Sequence, residues 1–286
     1  MFEFHELPLE VFHGEVNSAE ARIYVRAAAS AAGVRVGGRI VGPFCEYART
    51  LQTSVRLVDR GDHGGALAET VLPDPCFWTP ELPFLYRAEI ELTRDATTIA
   101  AGTRTFAIRR LATQGDHLSF DGRRWVLRAV DRSLDCESPW SAWRSQSAAC
   151  AIHAPDDTTL EETSRLGVIV VAMEEDPQRL AYLARWPSVG IALLNRRSTP
   201  TAGERSAAAN LIVGSWYGPG ETVSPADWSQ VLAGDALSTP ELAVPRIACR
   251  WVADADLAEA RIECDRLQRD LAGGGEYAGY MILHGT

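Results

Sequence analysis

The chain has 286 residues, 46% hydrophobic and 23% charged, with a formal charge of −10, the composition of a globular protein large enough for two domains. That acidic balance argues against nucleic acid and other polyanions held by bulk electrostatics. Every one of the 28 basic residues is arginine, which excludes Schiff-base lysine chemistry and a phosphate-binding P-loop.

In chain order, the first third reads as short strands over 7–13, 21–27, 33–41, 50–58, 67–72, 84–92 and 99–109. Arg22-Ile23-Tyr24-Val25-Arg26 and Tyr86 to Leu92 alternate apolar and polar residues, the mark of half-buried strands. Gly61-Asp62 to Gly65 and Arg94-Asp95 supply turns. Seven such strands without a helical pattern point to an immunoglobulin-like β-sandwich, assigned to 1–112.

Beyond about residue 113 the pattern changes, with short apolar strands alternating with helix signals, as in βα units around a parallel sheet. Strands are expected over 125–130, 148–154, 168–173, 189–194, 211–216, 246–252 and 278–283. Thr158-Thr159-Leu160-Glu161 has the form of a capping box. Asp176-Pro177 and Ser224-Pro225 each place a cap before a first-turn proline. Leu257, Ala260, Cys264, Leu267 and Leu271 form one helix stripe with Gly273 as its stop. Seven strands are visible where a (β/α) barrel has eight, and 113–286 is short against the roughly 250 residues typical of that fold. The expectation is a contracted barrel, closed in some other way or left with an open edge.

The N-terminus, Met1-Phe2-Glu3-Phe4-His5-Glu6, has no basic and apolar signal regions. The longest apolar run, Gly167 to Met173, is too short to span a bilayer, so no membrane partner is expected. Cys45, Cys76, Cys136, Cys150, Cys249 and Cys264 include no C-x-x-C pair, and no histidine pair has zinc spacing. Reduced thiols in a cytoplasmic protein without metal or cofactor follow as expectations. Gly214-Ser215-Trp216-Tyr217-Gly218 places its serine wrongly for a nucleophile elbow.

Several segments keep the order and spacing of one family. Trp78-Thr79-Pro80-Glu81-Leu82-Pro83-Phe84-Leu85-Tyr86 matches Trp-x-Pro-Glu-x-Pro-x-Leu-Tyr; Thr105 to Arg109 is similar to Phe-Gly-Ile-Arg; Leu127 to Arg132 is similar to Leu-Arg-Gly-Val-Asn-Arg-His, with Ser133 at the final histidine. Trp186 to Arg197 and Pro245 to Arg250 resemble two barrel strands of the same family. From about Val34 onward the chain thus resembles glycoside hydrolase family 2, without a recognisable counterpart of that family's large N-terminal sugar-binding domain.

The resemblance implies a sandwich followed by a barrel, with a general acid/base glutamate closing the fourth barrel strand and a nucleophilic glutamate ending a later one. Here those positions fall on Arg196 or Arg197, and on Arg250. Arginine stays protonated and offers no acceptor lone pair, so it fills neither role. His153, within Ile152 to Asp157, matches a histidine that lines the family's sugar pocket, and Glu174 and Glu175 stand where the family has an Asp-Glu pair. Glu174 and Glu175 also read as caps of the next helix beside Asp176. Asn195, Trp216 and Tyr217 complete the candidate pocket, the aromatics able to stack on a sugar, and Asp131 and Arg132 read as a pair. The leading reading is a non-catalytic relative that binds carbohydrate or serves structurally. The alternatives are an active glycosidase with relocated carboxylates, Glu174 or Glu175 with Asp131, and a binder of small anions through arginines converging at the barrel mouth.

Overall fold

The computed structural model describes residues 9–27, 33–221, 223, 226–235, 244–273 and 276–285. It divides into two compact units, Met1–Arg109 and Arg110–Thr286.

Among the described residues of the first unit are β1 (Leu9–Val16), β2 (Glu20–Ala27), β3 (Val34–Phe44), β4 (Thr53–Arg56), β5 (Val58–Asp62), β6 (Ala66–Pro73), β7 (Leu85–Arg94) and β8 (Thr97–Phe106). They form antiparallel sheets ordered β1-β2-β6-β5 and β4-β3-β7-β8, the strand order of an immunoglobulin-type sandwich. Alternation drives the packing. On β2, Ala21, Ile23, Val25 and Ala27 are buried, and they join Val36, Ile40, Leu72, Ile90 and Leu92 in one core. The expected strand over 50–58 is instead two strands in different sheets. Leu57, 3% exposed, turns inward between them and donates its N–H to the Gly38 carbonyl at 2.9 Å. A single buried residue among exposed neighbours leaves no periodic trace of that crossing. The expected start at Leu7 lies outside the described residues.

The motif from Trp78 to Tyr86 anchors the end of this unit. Trp78 and Tyr86 are each 1% exposed. The Tyr86 hydroxyl accepts the Cys76 N–H at 2.8 Å and donates to the Cys76 carbonyl at 3.3 Å. This is a tyrosine corner at the start of β7, and burial pushes the phenol's pKa up.

The second unit opens with an antiparallel meander that the sequence reading lacked: β9 (Leu111–Gln114), β10 (His117–Phe120) and β11 (Arg123–Trp125). The expected strand over 125–130 therefore splits, leaving the meander at Trp125 and entering the barrel at Leu127. Leu111 sits against the N-terminal end of the barrel, its Cδ2 only 2.9 Å from where Gly190 would carry a Cβ.

Eight parallel strands then close completely: β12 (Leu127–Asp131), β13 (Ala149–His153), β14 (Val170–Glu174), β15 (Val189–Asn195), β16 (Ile212–Trp216), β17 (Leu232–Gly234), β18 (Arg246–Val252) and β19 (Gly279–His284). The expected seven strands are present, and the missing one is β17. Three residues are too few for a hydrophobic period to register. β17 docks because Gly214 on β16 has no side chain; a Cβ there would lie 2.2 Å from the Val231 carbonyl oxygen. The ring closes where β12 pairs with β19, from Leu127↔Gly279 to Val130↔Ile282.

Contraction falls on the helices. They are α1 (Trp140–Ser145), α2 (Asp157–Leu166), α3 (Leu180–Leu183), α4 (Ala202–Ala207) and α5 (Leu257–Asp270), with none among the described residues between β16 and β18. The cap expected at Ser224-Pro225 lies outside the described residues, and Ser229 donates to the Ala226 carbonyl in a turn rather than a helix. α2 begins earlier than its expected box, because the Asp156 carboxylate takes the Thr159 N–H at 2.8 Å. Asp176, rather than Glu174 or Glu175, caps the short 3₁₀ turn Pro177–Arg179 that leads into α3. α5 starts with a reciprocal Asp256–Glu259 box and ends at Asp270, ahead of Gly273. Its Leu257, Ala260, Cys264 and Leu267 pack on the outside of the barrel. No helix of the described residues is long and apolar enough to cross a membrane.

Candidate functional site

Side chains along a barrel strand alternate between interior and exterior. The exterior set is fixed by packing. Val130, Cys150, Ala248, Tyr280 and Ile282 cluster with residues of α1 and α5, and Val170, Ala172, Ala192, Leu194 and Val213 cluster with residues of α2 and α3. Counting on by pairs, the inward residues at the C-terminal strand ends are Asp131, His153, Asn195, Trp216 and Trp251. That end is where this architecture holds its sites.

Asp131 is 6% exposed and fully engaged. One oxygen accepts from the Ser133 N–H at 2.9 Å and the Ser133 hydroxyl at 2.8 Å, and the other takes the His284 N–H at 3.1 Å. Arg132 does not pair with it, contrary to expectation. Its guanidinium donates to the carbonyls of Asp135, Cys136 and Ser138 and lies 4.4 Å over the Trp140 ring. Short loops give each residue nearer partners than its neighbour.

His153 and Trp216 come together. Their rings meet edge to face at 6.1 Å and 81°, joining the second and fifth barrel strands across the mouth. Trp216 is half-buried and its Nε1 has no hydrogen-bond partner among the described residues. Asn195 caps its own turn, accepting the Arg197 N–H at 3.1 Å. Arg196, directly after it, donates to Glu221 at 2.8 Å. The Gly218 N–H and then Arg196 hold the Glu221 carboxyl below the usual carboxylate range. Asp235 accepts the Gly220 N–H at 3.2 Å. Arg197 is exposed.

Other candidates stand apart. Tyr217 is 4% exposed and packs on Leu232. Glu174 has outward parity and is 4% exposed, with Arg179 Nε at 3.1 Å. Burial raises its carboxyl pKa, and Arg179 partly offsets that. Arg179 also donates to the Pro155 carbonyl at 2.8 Å and lies 4.9 Å over the Tyr182 ring. It lines a shallow cleft of about 550 Å³ with Ala154 to Thr158 and Tyr182. Glu175 is exposed, and its carbonyl accepts from the Ser198 hydroxyl at 2.6 Å.

Arg250 does not join the mouth. It faces outward and binds Asp270 at 2.7 Å and Glu263, both on α5. The pleat explains the correction: one residue along a strand reverses the face, and the inward residue at this end is Trp251. Cys249, also inward, is 5% exposed, and burial pushes its thiol pKa up, away from the thiolate form. Trp251, Glu221 and Asp235 were missed by sequence reasoning. A count by twos from Ile247 through Cys249 reaches Trp251, whereas the two loop acids carry no such signal. Among the described residues, no group of three or more His, Cys, Asp or Glu is placed to hold a metal ion.

No protein-family model and no curated protein matches the sequence. Solved structures match the fold. A glycosyl hydrolase family 2 member from Bacteroides cellulosilyticus superposes with a TM-score of 0.65 at 14% identity, over 97% of this chain and 44% of its own. Bacteroides uniformis β-glucuronidase gives 0.59 at 15%, over 96% of this chain and 45% of its own. Bifidobacterium dentium β-glucuronidase, complexed with coumarin-3-O-glucuronide, gives 0.61 at 11%, over 96% and 59%. The chain thus spans about half the length of these proteins and has their fold, an immunoglobulin-like sandwich followed by a closed eight-stranded barrel.

Proposed function

We propose that this glycoside hydrolase family 2-like chain binds carbohydrate at the barrel mouth without hydrolysing it. One observation carries the reading: Arg196, following Asn195 where the resembled family places its acid/base glutamate, is neutralised by Glu221. The other aligned position, Arg250, is turned away towards α5, and the inward residue beside it is Trp251. Retaining hydrolysis needs two carboxyl groups about 5–5.5 Å apart. Asp131 is already held by three donors, and Glu174 faces outward to Arg179. Trp216, braced by His153, offers the apolar edge and ring that saccharides pack on. The glucuronide held by the Bifidobacterium dentium protein makes a sugar or sugar acid the ligand class to try.

The test has two arms. A panel of nitrophenyl glycosides, glucuronide included, should show no turnover above background. Calorimetric titration with neutral sugars and uronates should detect binding that Trp216→Ala abolishes. Turnover that disappears in Glu175→Gln would replace this reading with a relocated-carboxylate hydrolase. Binding confined to uronates would favour the small-anion reading through Arg196 and Arg197.

A further inference from the structure

The sandwich carries a charged cleft that the barrel reading does not use. It lies on the outer face of the β4-β3-β7-β8 sheet and has a volume of about 760 Å³. Strand register places Arg56, Arg39 and Glu89 in one row across three strands, Arg39 facing Arg56 on one side and Glu89 on the other. Arg39 binds Glu89 at 2.6 Å. Arg56 has no such partner among the described residues.

Directly opposed residues of an antiparallel pair bring their Cβ atoms to about 4.5–5.5 Å, and like charges there destabilise the sheet. Arg39 and Arg56 are such a pair. Ser54, two residues before Arg56 on the same face, lines the cleft beside them. At the other end Glu91 lines it without an ion-pair partner among the described residues. The cleft is therefore cationic with a hydroxyl on one side and carries carboxylate on the other.

We propose that Arg39, Arg56 and Ser54 form an anion-binding site for a ligand bearing a carboxylate or phosphate group, whose hydroxyl donors reach Glu91. Two guanidinium forks and a hydroxyl match the oxygens of either group. A bound anion relieves the repulsion between the two arginines. Arg39 and Arg56 balance Glu89 and Glu91 over the whole cleft, so the positive charge is local to the Arg56 end, with Glu91 two strands away on β7. The site is solvent-facing, so binding is weak and salt-sensitive, with a Kd of about 0.1–1 mM.

The experiment titrates the full chain with inorganic phosphate, with glucuronate and with glucose, following heat and melting temperature. Phosphate or glucuronate should bind, and glucose should not displace it. Arg56→Ala should weaken that binding about tenfold, matching the loss of one charge-assisted contact. The same variant without ligand should melt at or above the wild-type temperature, since a like-charge contact is gone. Trp216→Ala should leave the phosphate affinity unchanged, which separates this site from the barrel mouth. Preference for glucuronate over phosphate identifies a sugar acid, and the reverse identifies a phosphate ester. Absence of binding by both anions, or binding unaffected by Arg56→Ala, overturns the proposal.

Discussion

Replacing Asp131 by alanine is the sharpest test of whether this carboxylate is structural or chemical. Three donors converge on it, the Ser133 N–H and hydroxyl on one oxygen and the His284 N–H on the other. The residue is 6% exposed, so water cannot fully replace it. Hydrogen bonds to a charged group contribute roughly 1.5–3 kcal/mol each, and neighbouring ones are not additive. The expected loss is therefore about 3–5 kcal/mol, less than a simple sum. For a unit of this size each kcal/mol moves the melting temperature by about 2–4 °C, which makes the expected drop roughly 6–20 °C. Asp131→Asn keeps one acceptor oxygen but aims an amide donor at other donors, and should cost about half as much. Tryptophan fluorescence is the assay of choice, because every tryptophan except Trp78 lies in the second unit. A melting temperature within about 2 °C of wild type, accompanied by loss of a measurable hydrolytic activity, would refute the structural assignment.

Three further expectations follow from the same geometry. Arg250→Ala should lower stability by about 1 kcal/mol, since the Asp270 and Glu263 contacts are part-exposed, and should leave saccharide binding unchanged; a loss of binding at unchanged stability contradicts its outward placement. Tyr86→Phe strips the part-buried Cys76 N–H of its acceptor and should cost about 1 kcal/mol, seen by calorimetry as a shift of the sandwich transition alone. Burial raises the Glu174 carboxyl when folded, so the folded state binds that proton more tightly and the ionised form is the costly one. As pH falls from neutral towards the ordinary carboxylate range, wild type should thus gain stability relative to Glu174→Gln, and a difference independent of pH in urea titrations would contradict this.

Much of the architecture was legible because it rests on periodicity. The alternation along 21–27 and 84–92 marks strands with one buried face, and both appear as β2 and β7. The Trp78 to Tyr86 motif could be matched by eye because its residues are fixed by burial and by a single hydroxyl. What escaped was whatever depends on partners distant in sequence. β17 is too short to show a period, and its place is set by a bare Gly214 on the neighbouring strand. The side to which Arg250 points is decided by α5, whose carboxylates lie 13 and 20 residues further on. At the mouth, the His153–Trp216 contact joins residues whose strands are not adjacent. Nothing local announces that pairing. Glu221 and Asp235 sit in irregular segments, where neither spacing nor burial pattern distinguishes a working acid from a solvated one.

The seam between β12 and β19 also has a kinetic consequence. It unites residues from the two ends of the barrel, as in Leu127↔Gly279, and Asp131 clasps it by holding the His284 N–H. No shorter loop delivers these contacts, so chain entropy is spent on nearly the whole unit before the seam returns any binding energy. Refolding of this unit should accordingly be slow and governed by ring closure. Until the clasp engages, β12 and β19 each present a bare row of amides and carbonyls. Dilute refolding conditions then favour closure within one chain, and crowded ones favour strand exchange between two.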